Sequence, residues 1–312
     1  MKAVVTGGAG FIGHHLVRAL VERGDAVTVL DDLSSGQLGR LAALRERITF
    51  VEGSIRVSAA LDRAVAGAEV VFHEAALASV AISVTNPERT NEINVGGTID
   101  VMLAAARNGV RRVVFAGSSA VYGEPRQLPL DEDQRPAPTS PYGVSKLAAE
   151  QYVNAIGRLH GLETVVLRYF NVYGPAQDPA SEYAAVIPKF ITTVLGGGRP
   201  TINGSGDISR DFVFVDDVVA ANLLAARHTS PSGLTCNIAT GDRTTLVQLL
   251  DAICAAAGRD VAPIQGPPRE GDIRDSVADI SLAGRALGFH PAVALEDGIA
   301  RTIAWYRRPP AA

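Results

Sequence analysis

A glycine-rich octet, Thr6-Gly7-Gly8-Ala9-Gly10-Phe11-Ile12-Gly13, constrains this chain more than any other stretch. It follows an apolar run at 2–6 and precedes a segment in which Leu16, Val17 and Leu20 recur at helical spacing before Gly24. Strand, glycine turn and helix in that order form a unit that binds a dinucleotide. The glycines permit a tight turn, and backbone N–H groups meet a pyrophosphate at the positive end of the helix dipole. Gly7, Gly10 and Gly13 are the expected contacts, and a Cβ on Gly10 would obstruct the phosphate. Asp31 closes the next apolar run eighteen residues beyond Gly13. From that spacing a carboxylate accepts both ribose hydroxyls of an adenosine and repels a 2′-phosphate. The expected ligand is NAD and not NADP.

Short β-branched runs at 2–6, 26–30, 48–51, 69–73, 112–116 and 164–169 alternate with helical patterns. Most are continuously apolar, which suits strands covered on both faces. The pattern predicts an α/β fold with a doubly wound parallel sheet of the Rossmann type. At 312 residues the chain exceeds the usual domain of about 100–150 residues. Beyond Gly174 the alternation breaks at 196–198, 203–206 and 263–271. We therefore assign an NAD-binding domain to 1–170, with 211–240 returning to it, and a smaller, discontinuous substrate-facing domain to 171–210 and 241–312.

With 47% apolar and 20% charged residues and no long polar tract, the chain should fold throughout. A formal charge of -4, with Lys and Arg scattered singly, lacks the basic stripe that a nucleic-acid partner needs. No apolar run approaches the roughly 20 residues that span a bilayer, and a cytoplasmic protein without a membrane partner is expected. Cys236 and Cys254 are too few and too far apart for a disulfide scaffold or a cysteine metal site. His73-Glu74 begins like a zinc motif, but Leu77 stands where the second histidine belongs. His14 and His15 are expected on or near the solvated face of the first helix, and His160, His228 and His290 are isolated, so no metal is expected.

A segment at 128–141 with four prolines and three acids forms neither helix nor central strand, and a loop of this length is often functional. It leads into Ser140-Pro141-Tyr142-Gly143-Val144-Ser145-Lys146, in which Ser140 reads as a helix N-cap and Pro141 as the first helical residue. Tyr142 and Lys146 then lie one turn apart on one face. At about 4 Å and an effective dielectric near 20, an ammonium favours a phenolate by roughly 4 kcal/mol. Desolvation opposes it, yet a phenol so placed can serve as a base near neutrality. Ser118 and Ser119 follow the 112–116 strand at the end where open sheets bind ligands. Ser118 is placed to relay a proton.

These residues resemble the extended short-chain dehydrogenase/reductase family, and within it the NAD-dependent UDP-hexose 4-epimerases. The resemblance spans nearly the whole chain. It rests on the glycine loop, Asp31, His73-Glu74-Ala75-Ala76, Asn94-Val95-Gly96-Gly97-Thr98, Ser118, Tyr142 with Lys146, Arg168-Tyr169-Phe170-Asn171, Arg210-Asp211-Phe212 and Arg269-Glu270-Gly271-Asp272. It implies a retained NAD, with Tyr142 taking the proton of the sugar 4-hydroxyl and a 4-keto sugar turning over before reduction on its other face. It extends the cofactor set to Phe11, Ile12, Asp32, Ser34, Ser54, Ile55, Ala75, Ala76 and Asn94. A UDP-sugar would be held by Ser79, Ser118, Ser119, Tyr142, Asn171, Arg210, Arg269, Asp272 and Ser276, the arginines pairing its diphosphate. A homodimer through the helices after Pro87 and Pro141 is also implied, using Val95, Ile99, Val101, Val144, Leu147 and Ile156, residues that equally suit a monomer core.

Departures from the family pattern refine this reading. Ser54 replaces an acid often found beside the adenine, Ala78 stands where some members carry lysine, and Ser276 occupies a position where a bulky tyrosine narrows the sugar pocket. The small Ser276 leaves room for a 2-acetamido group, and serine hydroxyls with backbone N–H groups can bind a carboxylate, so glucose, N-acetylglucosamine and glucuronic acid all stay open. Ser119-Ala120 replaces the Asp-Glu pair of a 4,6-dehydratase, and the turn lacks the Glu usual in a UDP-glucuronate decarboxylase. A non-catalytic NAD-binding sensor would typically lose the tyrosine or the lysine, and both are present.

Overall fold

The computed structural model describes the chain apart from residues 126, 180–185, 229–231, 268–274 and 309–312. The six apolar runs form parallel strands: β1 Lys2–Thr6, β2 Ala26–Asp31, β3 Ile48–Glu52, β4 Val70–His73, β5 Arg112–Ser118 and β6 Glu163–Tyr169. Leu234–Ile238 pairs in parallel with the outer edge of β6 and completes a seven-stranded sheet, in the order Leu234–Ile238, β6, β5, β4, β1, β2, β3. From β1 the chain builds outward to β2 and β3, then returns to add β4, β5 and β6 on the other side. That reversal opens a crevice beyond the carboxyl ends of β1 and β4, where open α/β sheets bind ligands.

The continuous apolar runs follow from burial on both faces. Successive strand residues point to opposite sides. Val5, Val29 and Phe72 meet Leu16, Val17 and Leu20 of helix α1 (Phe11–Glu22). Val4, Leu30 and Val71 meet Leu61, Val101 and Met102 on the other layer. A separate apolar cluster joins Phe190, Ile191, Phe214, Leu249, Ile253 and Ile299 in the second half of the chain. There Phe212–Phe214 pairs with Asn171–Tyr173 instead of entering the large sheet, while Ser209–Arg210 lies between Thr244–Thr245 and Asp275–Ser276. Among the described residues, no helix is long and apolar enough to cross a membrane.

Two expectations are corrected here. His14 and His15 do not face solvent; they are 2% and 7% exposed. His14 Nδ1 donates to Gly10 O at 2.9 Å and His15 Nε2 to Pro175 O at 2.9 Å. Arg40 closes the same face, donating to Ala9 O and Ala176 O. The covering segment comes from the distant second half, so helical periodicity within α1 does not reveal it. The second correction concerns Ser118, which is the last residue of β5 and does not follow the strand.

Candidate active site

The glycine turn is shaped by its own backbone. Gly7 has φ +70, a left-handed conformation that favours glycine. A Cβ on Gly13 would sit 2.1 Å from Gly7 O, and one on Gly7 would sit 2.7 Å from Ala75 N. A Cβ on Gly10 would meet only Gly7 O, at 3.0 Å, so that position otherwise faces open space. Among the described residues no side chain caps α1, and its first N–H groups have no intrahelical partner. The turn therefore fits a bound pyrophosphate.

Asp31, at the end of β2, is buried. Its Oδ2 accepts from Ala9 N at 2.9 Å and its Oδ1 from Leu33 N at 2.8 Å, which fixes the carboxylate beside the turn. Burial pushes its carboxyl above the usual range, and these two N–H groups oppose that rise. Asp32 accepts from Ser34 N and Ser34 Oγ, making a local turn. Ser54 Oγ accepts from Arg56 N, and Ile55 packs so tightly on Gly97 that a Cβ there would lie 2.4 Å from Ile55 Cδ1. Phe11 packs edge-on against His15, and Ile12 turns to the apolar layers. Ala75 N donates to Thr6 Oγ1 at 3.3 Å, and Ala76 follows it, partly exposed. Asn94 is engaged by the protein itself: its amide holds Leu77 N and Leu77 O and donates to Ser145 Oγ.

Ser140 caps the Pro141–His160 helix, accepting from Gly143 N at 3.1 Å, with Pro141 in the first turn as the sequence predicts. Tyr142 N donates to Ser83 Oγ at 3.0 Å, and the Tyr142 hydroxyl lies beside Ser118, which favours its ionised form. Lys146 Nζ donates to Ala116 O at 2.9 Å and lies 5.1 Å from the centre of the Phe115 ring. The structure thus gathers Tyr142, Ser118 and Lys146 at the carboxyl end of β5. It corrects the expected electrostatics. Burial raises the Tyr142 phenol above its ordinary value, with the neighbouring Ser118 side chain opposing. Removal from water sets the phenol, and it also lowers Lys146 to about 8, against the pull of Glu74.

Ser119, Asn171, Arg210 and Ser276 line one cavity of about 160 Å³, together with Gly123 and Asp275. Asn171 Nδ2 donates to Asp211 O, and Arg210 Nη1 to Ser209 O. Ser79 instead caps Val80–Thr85, accepting from Ile82 N. Arg269 and Asp272 lie outside the described residues.

Residues 3–239 match the model of the NAD dependent epimerase/dehydratase family. The chain belongs to that family. A UDP-glucose 4-epimerase of Mycolicibacterium smegmatis is 42% identical over 312 residues, covering 98% of this chain and 99% of its own. The crystal structure of UDP-glucose 4-epimerase with UDP-glucose from Thermotoga maritima superposes with a TM-score of 0.93 at 41% identity, covering 98% of this chain and 99% of that one. A UDP-N-acetylglucosamine 4-epimerase from Methanobrevibacter ruminantium, in complex with UDP-N-acetylmuramic acid, gives 0.93 at 39% identity, over 98% and 97% of the two chains.

Two carboxylates that lie within the family motifs of the sequence, Glu74 and Asp211, were assigned no role there. Asp211 is fully buried and accepts from Thr240 N, Thr240 Oγ1, Gly241 N and Ala278 N at 2.7 to 3.2 Å. It pins those backbones beside Arg210 and Ser276. Glu74 follows β4 and accepts from the Tyr169 hydroxyl at 2.8 Å. The available signal was an acid set directly after the apolar 69–73 run, where a buried strand end gives a charge little water.

Proposed function

We propose that this protein is an NAD-dependent UDP-sugar 4-epimerase that inverts C4 of a UDP-hexose. The observation that carries the reading is the set at the end of β5. There the Tyr142 hydroxyl stands beside Ser118, Lys146 is anchored on Ala116, and the cavity lined by Asn171, Arg210 and Ser276 begins at Ser119. Gly7, Gly10 and Gly13 would hold the pyrophosphate of NAD and Asp31 its adenosine ribose. When bound, NAD supplies a reversible hydride acceptor for the sugar carbon.

The remaining work falls to the chain. Tyr142 as phenolate takes the proton of the sugar 4-hydroxyl, with Ser118 bonded to both oxygens. Lys146, as the nearby cation, offsets the penalty that burial places on the phenolate. Arg210, joined by Arg269, grips the diphosphate through charge-assisted hydrogen bonds, and Asn171 holds the adjoining phosphate region. A 4-keto sugar tethered only at its diphosphate can turn over and present its other face, after which Tyr142 returns the proton. Ser276, small and at the cavity wall, leaves space for a 2-acetamido group, so UDP-N-acetylglucosamine joins UDP-glucose as an expected substrate.

The same reading divides the work between residues 1–170 with 211–240, which bind NAD, and 171–210 with 241–312, which bind the sugar nucleotide. It also includes a homodimer. Val95, Val101 and Ile156 are buried within the monomer. Val84, Val144 and Tyr152 are 63%, 53% and 44% exposed, and supply an apolar face for a second copy. The decisive variant is Tyr142→Phe. It should retain NAD and lose about 10²–10⁴-fold in epimerisation rate; unaltered activity overturns the assignment.

A further inference from the structure

Behind Lys146 lies a chain of hydrogen bonds whose direction is fixed. Asn222 is fully buried, and its Nδ2 donates to Val218 O at 3.0 Å and to the Tyr169 hydroxyl at 2.7 Å. Val218 O can only accept, so the amide nitrogen must face it. Both amide protons are then spent, and the single proton of Tyr169 goes to Glu74 Oε1 at 2.8 Å. Asn222 Oδ1 finds no partner among the described residues. A buried acceptor left unmatched is destabilising, a cost tolerated here where the amide's donors orient a carboxylate.

Glu74 and Ala116, whose carbonyl holds Lys146, each lie one residue beyond the paired His73 and Phe115, and Glu74 is the acid that acts on Lys146. Of the other titratable groups near this lysine, His73 lies on β4 and Tyr142 one turn earlier on its own helix. His73 adds no charge. Thr98 Oγ1 donates to Asn94 O, so it accepts from His73 Nε2, while Nδ1 accepts from Thr6 Oγ1, and burial keeps the ring neutral. Lys146 donates to Ala116 O, a neutral acceptor. A buried ammonium beside a carbonyl, an aromatic ring and a neutral imidazole needs an anion to remain charged.

We propose that Glu74, oriented by Tyr169 and Asn222, is a positioning residue that keeps Lys146 protonated for its work on Tyr142. Burial pushes the Glu74 carboxyl up to about 7 and draws the Lys146 ammonium down to about 8, so both are charged together in the interval between. Loss of the Glu74 charge lets Lys146 shed its proton at lower pH, and the phenolate loses its cation.

This inference rests on the epimerase reading for its purpose, yet its test does not. The chain has only three lysines, Lys2, Lys146 and Lys189. Labelling lysine with ¹³Cε and ¹⁵Nζ in the full-length, NAD-loaded protein gives three signals, and Lys146→Met assigns the one of interest. Glu74→Gln keeps an acceptor for Tyr169 but removes the charge. Its Lys146 midpoint should fall by about one pH unit or more, and the alkaline limb of activity should move with it. Tyr169→Phe, which removes the donor that favours ionised Glu74, should move both the same way by less, and carries the test should the first variant fail to fold. A Lys146 midpoint unmoved by Glu74→Gln, or by Tyr169→Phe in its place, overturns the proposal, because a merely structural Glu74 would leave the lysine's titration unchanged. A shifted midpoint in a protein that turns over no UDP-sugar would support it and overturn the epimerase reading instead.

Discussion

Three glycine-to-alanine substitutions separate the two jobs of the amino-terminal turn. At Gly13 the new methyl would lie 2.1 Å from Gly7 O, 2.8 Å from Gly8 Cα and 2.9 Å from Gly7 C, all backbone. Alanine gains about 1 kcal/mol in helix propensity, but overpacking typically costs about 1–3 kcal/mol, and backbone yields less readily than a flexible side chain. The clash wins. We expect a net destabilisation of about 1–2 kcal/mol and a turn displaced by about 1 Å, which forfeits at least one charge-assisted bond to phosphate, about 1.5–3 kcal/mol. That loss weakens NAD roughly 10- to 100-fold. At Gly10 the backbone is extended, with φ -75 and ψ -177, and the methyl meets only Gly7 O at 3.0 Å. Gly10→Ala should unfold as the parent does and still lose NAD, since the methyl occupies the phosphate's place. Gly39 lies in the helical turn Leu38–Arg47 with nothing within 4 Å, and Gly39→Ala should keep NAD and lose no stability. Urea unfolding and NAD content after gel filtration read the two effects separately. Gly10→Ala with full NAD refutes the cradle, and Gly13→Ala with parental stability refutes the clash.

Ser276→Tyr should lower activity on UDP-N-acetylglucosamine more than on UDP-glucose, measured as the ratio of kcat/KM values; equal losses refute the pocket argument. Glu150 and Arg168 form a buried pair through Nε and Nη2 at 3.0 and 2.6 Å. Glu150→Leu should cost about 3–5 kcal/mol by urea unfolding, whereas Glu150→Leu with Arg168→Met should cost far less, because no lone charge stays buried. His14 and His73 are each pushed down from 6.5 to about 3, chiefly by burial. Their folded values lie below the unfolded one, so this stability is present above about 6.5 and is lost as pH falls toward 3, by up to about 1.4 kcal/mol per pH unit each. His14→Asn should flatten that acid slope, and an unchanged slope would show that His14 is not held neutral.

The sheet was legible in the sequence because its central strands are buried on both faces and read as unbroken apolar runs, with boundaries off by one or two residues at most. The cap at Ser140 was legible because a hydroxyl before Pro141 has a local purpose. What escaped depends on distant chain. His14 and His15 look solvated from their own helix, yet residues around Pro175 cover them. Glu74 meets Tyr169 only after β4, β5 and β6 have assembled, and the fate of Phe212–Phe214 is settled by Asn171–Tyr173. The phenol of Tyr142 escaped for a different reason. Spacing shows which charges are near, whereas the loss of water, the larger effect here, is a property of the finished fold.

The central claim is inversion at C4 with the hydride returned to the same carbon. Incubating NAD-loaded protein with UDP-glucose, UDP-N-acetylglucosamine and UDP-glucuronic acid in deuterated water, then separating the products and weighing them by mass spectrometry, tests it directly. The account predicts the C4 epimer of at least one sugar, at the mass of its substrate, with no deuterium at C4. A dehydrated or decarboxylated product, deuterium at C4, or no product from any of the three would contradict it.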